Sequence, residues 1–163
     1  MSDIRAVVIT ASDACSRGER EDTSGEAVAQ LLTDLGATIM DRKVLSDDLE
    51  PLAQTLREYA ARPDVNLIVT TGGTGLGPRD NIPEATKQVI EREAPGIAEA
   101  MRAESLKVTP MAMISRAVCG VRTGTLIINL PGSPKAVKET FSVIVPVLSH
   151  ALDLMAGRTS HPA

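Results

Sequence analysis

The chain has 163 residues, of which 43% are hydrophobic and 23% are charged, a composition typical of one globular domain spanning residues 1–163. Its aromatic side chains are Tyr59 and Phe141 alone, so it lacks the platforms on which proteins stack single-stranded bases. The formal net charge of −4 also opposes binding to a phosphate backbone. Composition therefore excludes nucleic acid as a partner.

Soft metal ligands and long apolar segments are both scarce. Cys15 and Cys119 are far apart and form no CxxC pattern, and His150 and His161 lie near the C-terminus. We therefore expect buried, reduced thiols rather than a disulfide, and no zinc site. The N-terminal apolar run is too short for a signal peptide, and no run approaches the ~20 residues of a membrane span. The expectation is a soluble, cytoplasmic protein with no membrane partner.

The first part of the chain predicts a strand, a helix and a second strand. A β-branched run over residues 4–10 predicts the first strand. Thr23 and Glu26 have the spacing of a capping box, in which the two side chains satisfy backbone donors at a helix start. Gly36 is placed to end that helix. Residues 38–45 predict a strand whose polar middle indicates the edge of a sheet.

The middle of the chain continues the alternation. Leucines at helical spacing predict a helix over residues 47–62, and the short apolar run over 65–70 is typical of a central strand in a parallel sheet. Pro83 is well placed as the first residue of a helix that continues through 84–93. A further helix is predicted over 95–107.

The C-terminal part predicts a hairpin and a long helix. Residues 118–122 and 125–130 predict two strands joined by a tight turn at Thr123-Gly124. Residues 133–155 predict a helix, which Pro146 would kink or break.

Strands that alternate with helices favour parallel pairing. The predicted fold class is therefore α/β, a three-layer α/β/α sandwich with a mostly parallel central sheet and a C-terminal hairpin-like strand pair. In such sheets, ligands bind outside the carboxyl ends of the strands. The loops that follow the strands are thus where functional residues are expected.

The loop after the third predicted strand is rich in glycine, from Thr71 to Gly77. Glycine allows positive φ and lets backbone N–H groups converge on an anion. The loop is not a P-loop, because Pro78 follows Gly77, and it is not a dinucleotide fingerprint, because Pro78 also stands three residues after Gly75. The alternative is a structural turn that binds nothing.

Two aspartates, Asp47 and Asp80, follow different strands at the same predicted edge. Carboxylates that converge without histidine or cysteine indicate hard-oxygen ligation, most simply of Mg²⁺ shared with substrate phosphates. The alternative for each is a helix cap, with Ser46 or Asp47 capping the helix that follows. Asp48 is expected to be a solvated acid in the first turn, and Asp13 is either a site residue or a loop cap.

The start of the last helix is a second candidate for anion binding. Pro131, Gly132 and Pro134 predict a rigid loop, and the N–H groups of the helix that follows can hold a phosphate. Lys135 is a cation in a first turn, where the helix dipole disfavours one, so an anionic partner is expected there.

Three separated segments give the chain a resemblance to a known family. They are Thr70-Thr71-Gly72-Gly73-Thr74-Gly75 with its continuation through Asp80 to Thr86, Ile114-Ser115-Arg116, and Asn129 through Lys135. Together they resemble the signature of the MogA/MoaB-type molybdopterin-binding family. Asn81-Ile82 departs from the Val-Thr pair usual in that family.

The resemblance implies a molybdopterin adenylyltransferase, commonly a homotrimer, that uses Mg²⁺ and ATP to attach AMP to the terminal phosphate of molybdopterin. It implies that Asp47 and Asp80 are the catalytic, metal-binding acids, that Thr71–Gly75 holds the pterin phosphate, and that the molybdate-inserting enzyme is a possible partner. The expected substrate-binding residues are Ser12, Asp13, Thr71, Gly72, Gly73, Thr74, Gly75, Asn129, Pro131, Gly132, Ser133 and Lys135.

Two other functions remain open from the sequence. The protein could be a non-catalytic molybdopterin carrier or assembly protein that keeps the glycine loop without using ATP. It could also be a nucleotide-phosphate hydrolase on the same scaffold. Mg²⁺-dependent binding of ATP would separate the enzyme from the carrier.

Overall fold

A computed structural model describes residues 3–158 of the chain. Its strands are β1 (Arg5–Ala11), β2 (Thr38–Leu45), β3 (Leu67–Thr71), β4 (Arg92–Glu93), β5 (Cys119–Arg122) and β6 (Thr125–Leu130). Its helices are α1 (Asp13–Ser16), α2 (Thr23–Asp34), α3 (Leu49–Ala60), α4 (Ile82–Val89), α5 (Pro95–Leu106) and α6 (Pro134–Met155), and Pro110–Ile114 forms a 3-10 helix.

The strands form one mixed sheet in the order β2-β1-β3-β6-β5-β4. The first four of these are parallel, whereas β5 and β4 are antiparallel to their neighbours. Helices cover both faces of the sheet, so the predicted three-layer α/β/α sandwich with a C-terminal hairpin is confirmed.

Side chains that alternate along the central strands divide between two cores. On β1, Val8 packs into a core with α2, α5 and α6, around Leu32 and Phe141. Its neighbour Val7 points the other way, into a core with α3 and α4 around Leu56. Strand β3 is buried over its whole length, as its unbroken apolar run predicted.

One predicted helix cap is wrong, and one alternative is not borne out. The box of Thr23 with Glu26 does not form, because Asp22 is the N-cap of α2 and accepts the N–H of Gly25 through its own carboxylate. Neither Ser46 nor Asp47 caps α3, since Asp48 holds the N-cap position and makes no side-chain cap bond. Two of the carboxylates have distant partners instead: Glu26 pairs with Arg42, and Asp47 accepts the Asp13 N–H.

One predicted helix is shortened, and the last predicted helix has its expected extent. The helix predicted through residue 93 ends at Val89, because Arg92 and Glu93 instead pair with β5 as the edge strand β4. Pro146 does not break the last helix, which runs without interruption from Pro134 to Met155. His150 lies on that helix, and His161 is outside the described residues.

The pairing register brings the loop-bearing ends of the central strands to one level. Thr10 of β1 pairs with Thr71 of β3, which pairs with Leu130 of β6. The loops after these strands therefore start side by side, as the parallel pairing predicted. Across residues 3–158, every helix is too short or too polar to cross a membrane.

Candidate functional site

A polar cavity of about 420 Å³ opens at the carboxyl ends of the parallel strands. Its walls come from the loops after β1, β2, β3 and β6 and from the first residues of α2 and α6. Of the residues predicted as a site, it is lined by Ser12, Asp47, Gly72, Gly73, Asp80, Gly132 and Ser133. The sheet topology thus brings together residues that are distant in the chain.

Asp47 is fixed by a reciprocal pair of hydrogen bonds with Asp13. The Asp13 N–H donates to Asp47 Oδ2 at 2.9 Å, and the Asp47 N–H donates to Asp13 Oδ1 at 3.0 Å. The other oxygen of Asp47, Oδ1, has no donor among residues 3–158 and lies beside Gly73, where a Cβ would be 3.3 Å from it. Asp47 therefore keeps one carboxylate oxygen available at the cavity.

Asp80 is held in a comparable way by its own loop. Its Oδ2 accepts the N–H of Gly77 at 2.8 Å, and its N–H donates to the Gly77 carbonyl at 3.0 Å. A Cβ at Gly75 or Gly77 would lie 2.9 or 2.8 Å from that same oxygen, so a side chain at either position would displace the carboxylate. Asp80 Oδ1 has no donor in the described part of the chain.

Asp80 is not the cap of α4. Asn81 occupies that position without a side-chain cap bond, and its Nδ2 instead donates to the Asp47 carbonyl at 2.8 Å. The departure at Asn81-Ile82 thus leaves Asp80 at the cavity and adds a direct tie between the loops that carry the two aspartates.

Asp47 and Asp13 have opposite electrostatic settings, although they lie side by side. Burial raises the pKa of Asp47, and the negative charges of Asp13 and Asp80 raise it further, although the Asp13 N–H opposes them. The hydrogen bonds from Arg79 and from the Asp47 N–H lower the pKa of Asp13 to about 2. Asp13 is therefore ionised at neutral pH and holds Asp47 in place. Burial and the neighbouring carboxylates disfavour the negative charge of Asp47, and a bound cation would stabilise it.

Arg79 bridges two of the loops around the cavity. It donates to both oxygens of Asp13, at 2.6 and 2.9 Å, and to Asp48 Oδ1 at 2.9 Å. The Ser46 hydroxyl and Arg79 together lower the pKa of Asp48. Asp48 is therefore not merely solvated, as the sequence predicted, but paired with a residue 31 positions away.

The glycine loop packs against the loop that precedes α6. Gly72 has φ +88°, and a Cβ there would overlap the Ala11 carbonyl oxygen, so glycine is required. The Thr71 hydroxyl donates to the Pro131 carbonyl at 2.6 Å, and a Cβ on Gly132 would lie 3.3 Å from the Gly72 Cα. Thr71 and Pro131 therefore hold the two loops in place instead of facing the cavity.

Helix N-termini supply positive potential to the same cavity. The first residues of α2 and α6 line it, and Ser133 caps α6 by accepting the Ala136 N–H at 3.2 Å. Arg20 adds a cationic side chain, 3.5 Å from Ser12 Oγ. Sequence reasoning missed Arg20, although its place in the loop after β1 could have signalled it.

Besides Asp13, Thr71, Thr74, Gly75 and Pro131, two further predicted binding residues do not line the polar cavity. The Lys135 side chain is 81% exposed, and its Nζ is 4.0 Å from Glu139, its helical neighbour. Asn129 is fully buried, where it accepts from the Val118 N–H and donates to the hydroxyls of Thr70 and Thr86. Its geometry is that of a residue that holds the end of β6 against β3 and α4.

A second cavity of about 250 Å³, mostly apolar, lies on the other side of the glycine loop. Thr74 and Gly75 form the wall nearest the polar cavity, and side chains of α5, α6 and the 3-10 helix, including Met101 and Ile114, enclose the rest. Few polar groups face it, which suits a flat ring system more than a charged group.

The donor set limits which metal the polar cavity can hold. No group of three or more His, Cys, Asp or Glu side chains converges anywhere in residues 3–158. Two carboxylates with one available oxygen each do fit Mg²⁺, because this ion commonly takes one or two carboxylates and completes its shell with water and substrate phosphates.

A protein-family model described as "Probable molybdopterin binding domain" matches residues 7–150. That match covers most of the chain, including every loop of the polar cavity. The chain belongs to this family. The resemblance seen in the three sequence segments is thereby confirmed.

Individual members of the molybdopterin-binding family agree over nearly the whole chain. The chain is 42% identical over 161 residues to "Molybdenum cofactor synthesis protein cinnamon" of Drosophila melanogaster, covering 98% of this chain and 27% of that protein. It is 38% identical to "Molybdopterin adenylyltransferase" of Helicobacter pylori strain J99, covering 96% of this chain and 90% of that one. The name of the Helicobacter relative bears out the prediction of a nucleotidyltransferase.

A solved structure from the same family superposes closely. It is the crystal structure of the "Molybdopterin biosynthesis enzyme MoaB" from Thermus thermophilus, with a TM-score of 0.88 and 45% sequence identity. The match covers 94% of this chain and 97% of that one. The strand order and layers described above are thus those of the family.

Proposed function

We propose that the protein is a molybdopterin adenylyltransferase that transfers AMP from ATP to the terminal phosphate of molybdopterin and releases pyrophosphate. One observation carries the proposal. Asp47 and Asp80 each present an oxygen without a protein donor to the cavity that the glycine loop and two helix N-termini also line. Such a cavity suits a phosphate chain together with a divalent cation.

The chain's own groups can hold the reacting phosphates. The amides of Gly72 and Gly73 and the N-termini of α2 and α6 are donors suited to phosphate oxygens, and Arg20 adds a positive charge. Asp47 and Asp80 would hold Mg²⁺, which when bound neutralises charge on the phosphates of ATP. Asp13 and Arg79 keep Asp47 in place while this occurs.

The transfer itself needs positioning more than covalent chemistry. An oxygen of the molybdopterin phosphate forms a bond to the α-phosphorus of ATP. The bond from that phosphorus to the bridging oxygen of the β-phosphate breaks, and pyrophosphate leaves with the electron pair. The apolar cavity beyond Thr74 and Gly75 would hold the flat heterocycle of one substrate, with its phosphate end reaching the glycine loop.

The proposal extends to assembly and partners. We expect a homotrimer in the cytoplasm, and the exposed apolar side chains of Val108, Met111 and Met113 are the kind of surface that subunit contacts cover. A molybdate-inserting enzyme is the expected partner, because the adenylylated product is the form that would be prepared for molybdate insertion. Analytical ultracentrifugation would test the trimer.

The test is an assay of the purified protein with molybdopterin, ATP and Mg²⁺, in which adenylylated molybdopterin and pyrophosphate are both followed. Asp80→Asn keeps an oxygen that can accept from Gly77 but removes the charge, and we expect it to lose turnover without unfolding. Asp80→Ala should do the same. Asp64→Ala is the matched control, because Asp64 pairs with Arg62 at the surface, away from the cavity.

Three results would contradict the proposal. Normal turnover by Asp80→Asn would remove Asp80 from the reaction. Tight binding of molybdopterin without any adenylylated product would instead assign the protein to the non-catalytic carriers. Release of AMP or ADP in the absence of molybdopterin would indicate a hydrolase.

A further inference from the structure

Arg116 forms hydrogen bonds to three residues between Thr74 and Asp80 and an ion pair with the helix that follows. Its main-chain N–H donates to the Thr74 carbonyl at 2.8 Å. In its side chain, Nε donates to the Gly75 carbonyl at 2.6 Å and Nη2 to the Asp80 carbonyl at 2.7 Å. Its Nη1 pairs with the Glu84 carboxylate on α4. The planar guanidinium thus binds the loop near both of its ends and the helix that follows it.

These contacts are the main restraint on that loop. Within residues 74–80, the other backbone hydrogen bonds join Gly77 to Asp80 and are local. In the described part of the chain, Arg116 is the one residue from outside 74–80 that donates to the backbone of this segment, whereas the Ile82 N–H donates to the Gly73 carbonyl just before it. Arg79 belongs to the loop, but its side chain turns away to Asp13.

We propose that Arg116 is a positioning residue, which sets the place of the Asp80 carboxylate relative to Asp47 and thereby the affinity of the site for a divalent cation with ATP. The inference rests on the proposed function, because it assumes that both aspartates hold that cation. The bond from Arg116 to the Asp80 carbonyl restrains the Asp80 main chain, from which the carboxylate extends. A shift of the Asp80 Cα would therefore move Oδ1 by a similar distance.

The ion pair with Glu84 does not explain the arrangement by itself. Both side chains are about a third or more exposed, at 34% and 43%, and exposed pairs contribute little to stability. Glu84 Oε2 is buried and has no hydrogen-bond partner, so the pair leaves one acceptor unsatisfied. The bond to the Thr74 carbonyl comes from the main chain, so any residue at position 116 would keep it. The two guanidinium bonds, to the Gly75 and Asp80 carbonyls, are what a positioning role requires, and a lysine could not make both in this geometry.

The chain offers a close control in Arg122. Its Nη1 donates to the Val89 carbonyl at 2.9 Å, at the far end of α4, and Glu91 lies 4.0 Å away. Its side chain is 33% exposed, almost the same as Arg116. Arg122 therefore matches Arg116 in exposure, carboxylate neighbour and backbone bond, yet contacts no part of the glycine loop.

The experiment measures binding of Mn²⁺, as a spectroscopic substitute for Mg²⁺, by electron paramagnetic resonance in the presence of an ATP analogue with a non-cleavable α–β bridge. We compare the wild type with Arg116→Lys, Arg116→Ala and Arg122→Ala. Residues that support metal ligands typically change metal affinity by about 10- to 100-fold. We expect a loss of that size for both Arg116 variants and none for Arg122→Ala.

Hydrogen exchange of the peptide that contains residues 74–80 is the second readout and needs no ligand. Exchange of the Gly77 amide, which donates to Asp80, should become faster in Arg116→Lys while the amides of α4 beyond its first turn stay protected. Because lysine keeps the charge, this variant preserves the test if Arg116→Ala does not fold.

Each other outcome overturns a defined statement. Wild-type affinity for Mn²⁺ in Arg116→Lys, with unchanged exchange at Gly77, would refute the positioning role and leave the proposed function standing. An equal loss in Arg122→Ala would show a general effect of removing an arginine and refute it too. If the wild type failed to bind Mn²⁺ with the ATP analogue, the proposed function and this inference would both be wrong.

Discussion

Replacing Gly72 by alanine tests whether the glycine loop is held by close backbone packing. Gly72 has φ +88°, and an added Cβ would overlap the Ala11 carbonyl oxygen. That oxygen belongs to the last residue of β1, a strand that is paired on both sides, so it cannot easily move away. The loop must shift instead.

The structure supplies the parts of the expected cost. A left-handed backbone costs an L-residue about 1–2 kcal/mol, and an overpacked contact against a rigid neighbour adds about 1–3 kcal/mol. Gly72→Ala should therefore destabilise the protein by roughly 2–5 kcal/mol. Turnover should fall as well, because a misplacement of about 1 Å in an active site can cost on the order of 100-fold in rate.

Two other glycines separate the two contributions. Gly36 has φ +90° at the end of α2 but open space around it, so Gly36→Ala should lose only about 1–2 kcal/mol from backbone strain. Gly96 lies in the first turn of α5, also in open space and without positive φ, so Gly96→Ala should be neutral or slightly stabilising.

Urea unfolding followed by circular dichroism gives the free energy of unfolding for the wild type and the three variants. The expected order of destabilisation is Gly72→Ala, then Gly36→Ala, then Gly96→Ala. If Gly72→Ala lost no more stability than Gly36→Ala, the contact with Ala11 would not constrain the loop, and the argument from close packing would be refuted.

Two further predictions concern acid stability and thiol reactivity. Because Arg79 lowers the pKa of Asp13 to about 2 from its ordinary 3.8, the stability that this pair contributes is complete above pH 3.8 and is lost as the pH falls toward 2. The difference in Tm between the wild type and Arg79→Ala should therefore be constant near neutral pH and shrink between pH 3.8 and pH 2. A difference in Tm that does not depend on pH would contradict the pairing. Burial raises the pKa of the Cys119 thiol to about 12, whereas Cys15 lines the polar cavity. A maleimide should therefore label Cys15 alone in the native protein. Labelling of Cys15 should be slower with Mg²⁺ and ATP present than without them. Mass spectrometry of the labelled peptides checks this, and equal labelling of both thiols before unfolding would show that the assigned burial is wrong.

Elements that depend on local pattern were predictable from the sequence. The β-branched runs that became β1 and β3 are buried along almost their whole length in the sheet. Gly36 ends α2 with positive φ, and the turn at Thr123-Gly124 joins the two strands of the hairpin as predicted. In each case the chemistry of one or two neighbouring residues decides the backbone, so the signal survives without tertiary information.

What failed depended on partners far away in the chain. Thr23 lost the cap of α2 to Asp22, whose carboxylate is also fixed by the Thr10 hydroxyl at 2.9 Å. Residues 92–93 left the helical pattern because β5 offered an antiparallel partner. A short window around Thr23 contains Asp22 but not Thr10, and a window around residues 92–93 does not contain β5, so the local pattern alone gave the wrong boundaries.

In the candidate site too, the positions set by strand topology were predictable, whereas the contacts between distant side chains were not. The topology rule for parallel sheets brought Asp47 and Asp80 to one edge without knowledge of any contact. The brace of Asp13 with Arg79, and the contacts of Arg116 with the loop, join residues 66 and 41 positions apart. Such arginines have no local signature, because a long side chain can reach any carbonyl or carboxylate that the fold places nearby.

The polar cavity carries both negative carboxylates and positive helix N-termini, so neither a metal ion nor a phosphate alone matches its charges. Without a phosphate, a cation finds two carboxylates and no third His, Cys, Asp or Glu side chain converging with them in the described residues. Without a cation, a phosphate that approaches the helix N-termini also meets Asp47 and Asp80, and the raised pKa of Asp47 reflects burial together with an excess of negative charge already present. Each ligand supplies what the other lacks, so the cation and the phosphate chain should bind cooperatively, each tightening the affinity for the other by the same factor.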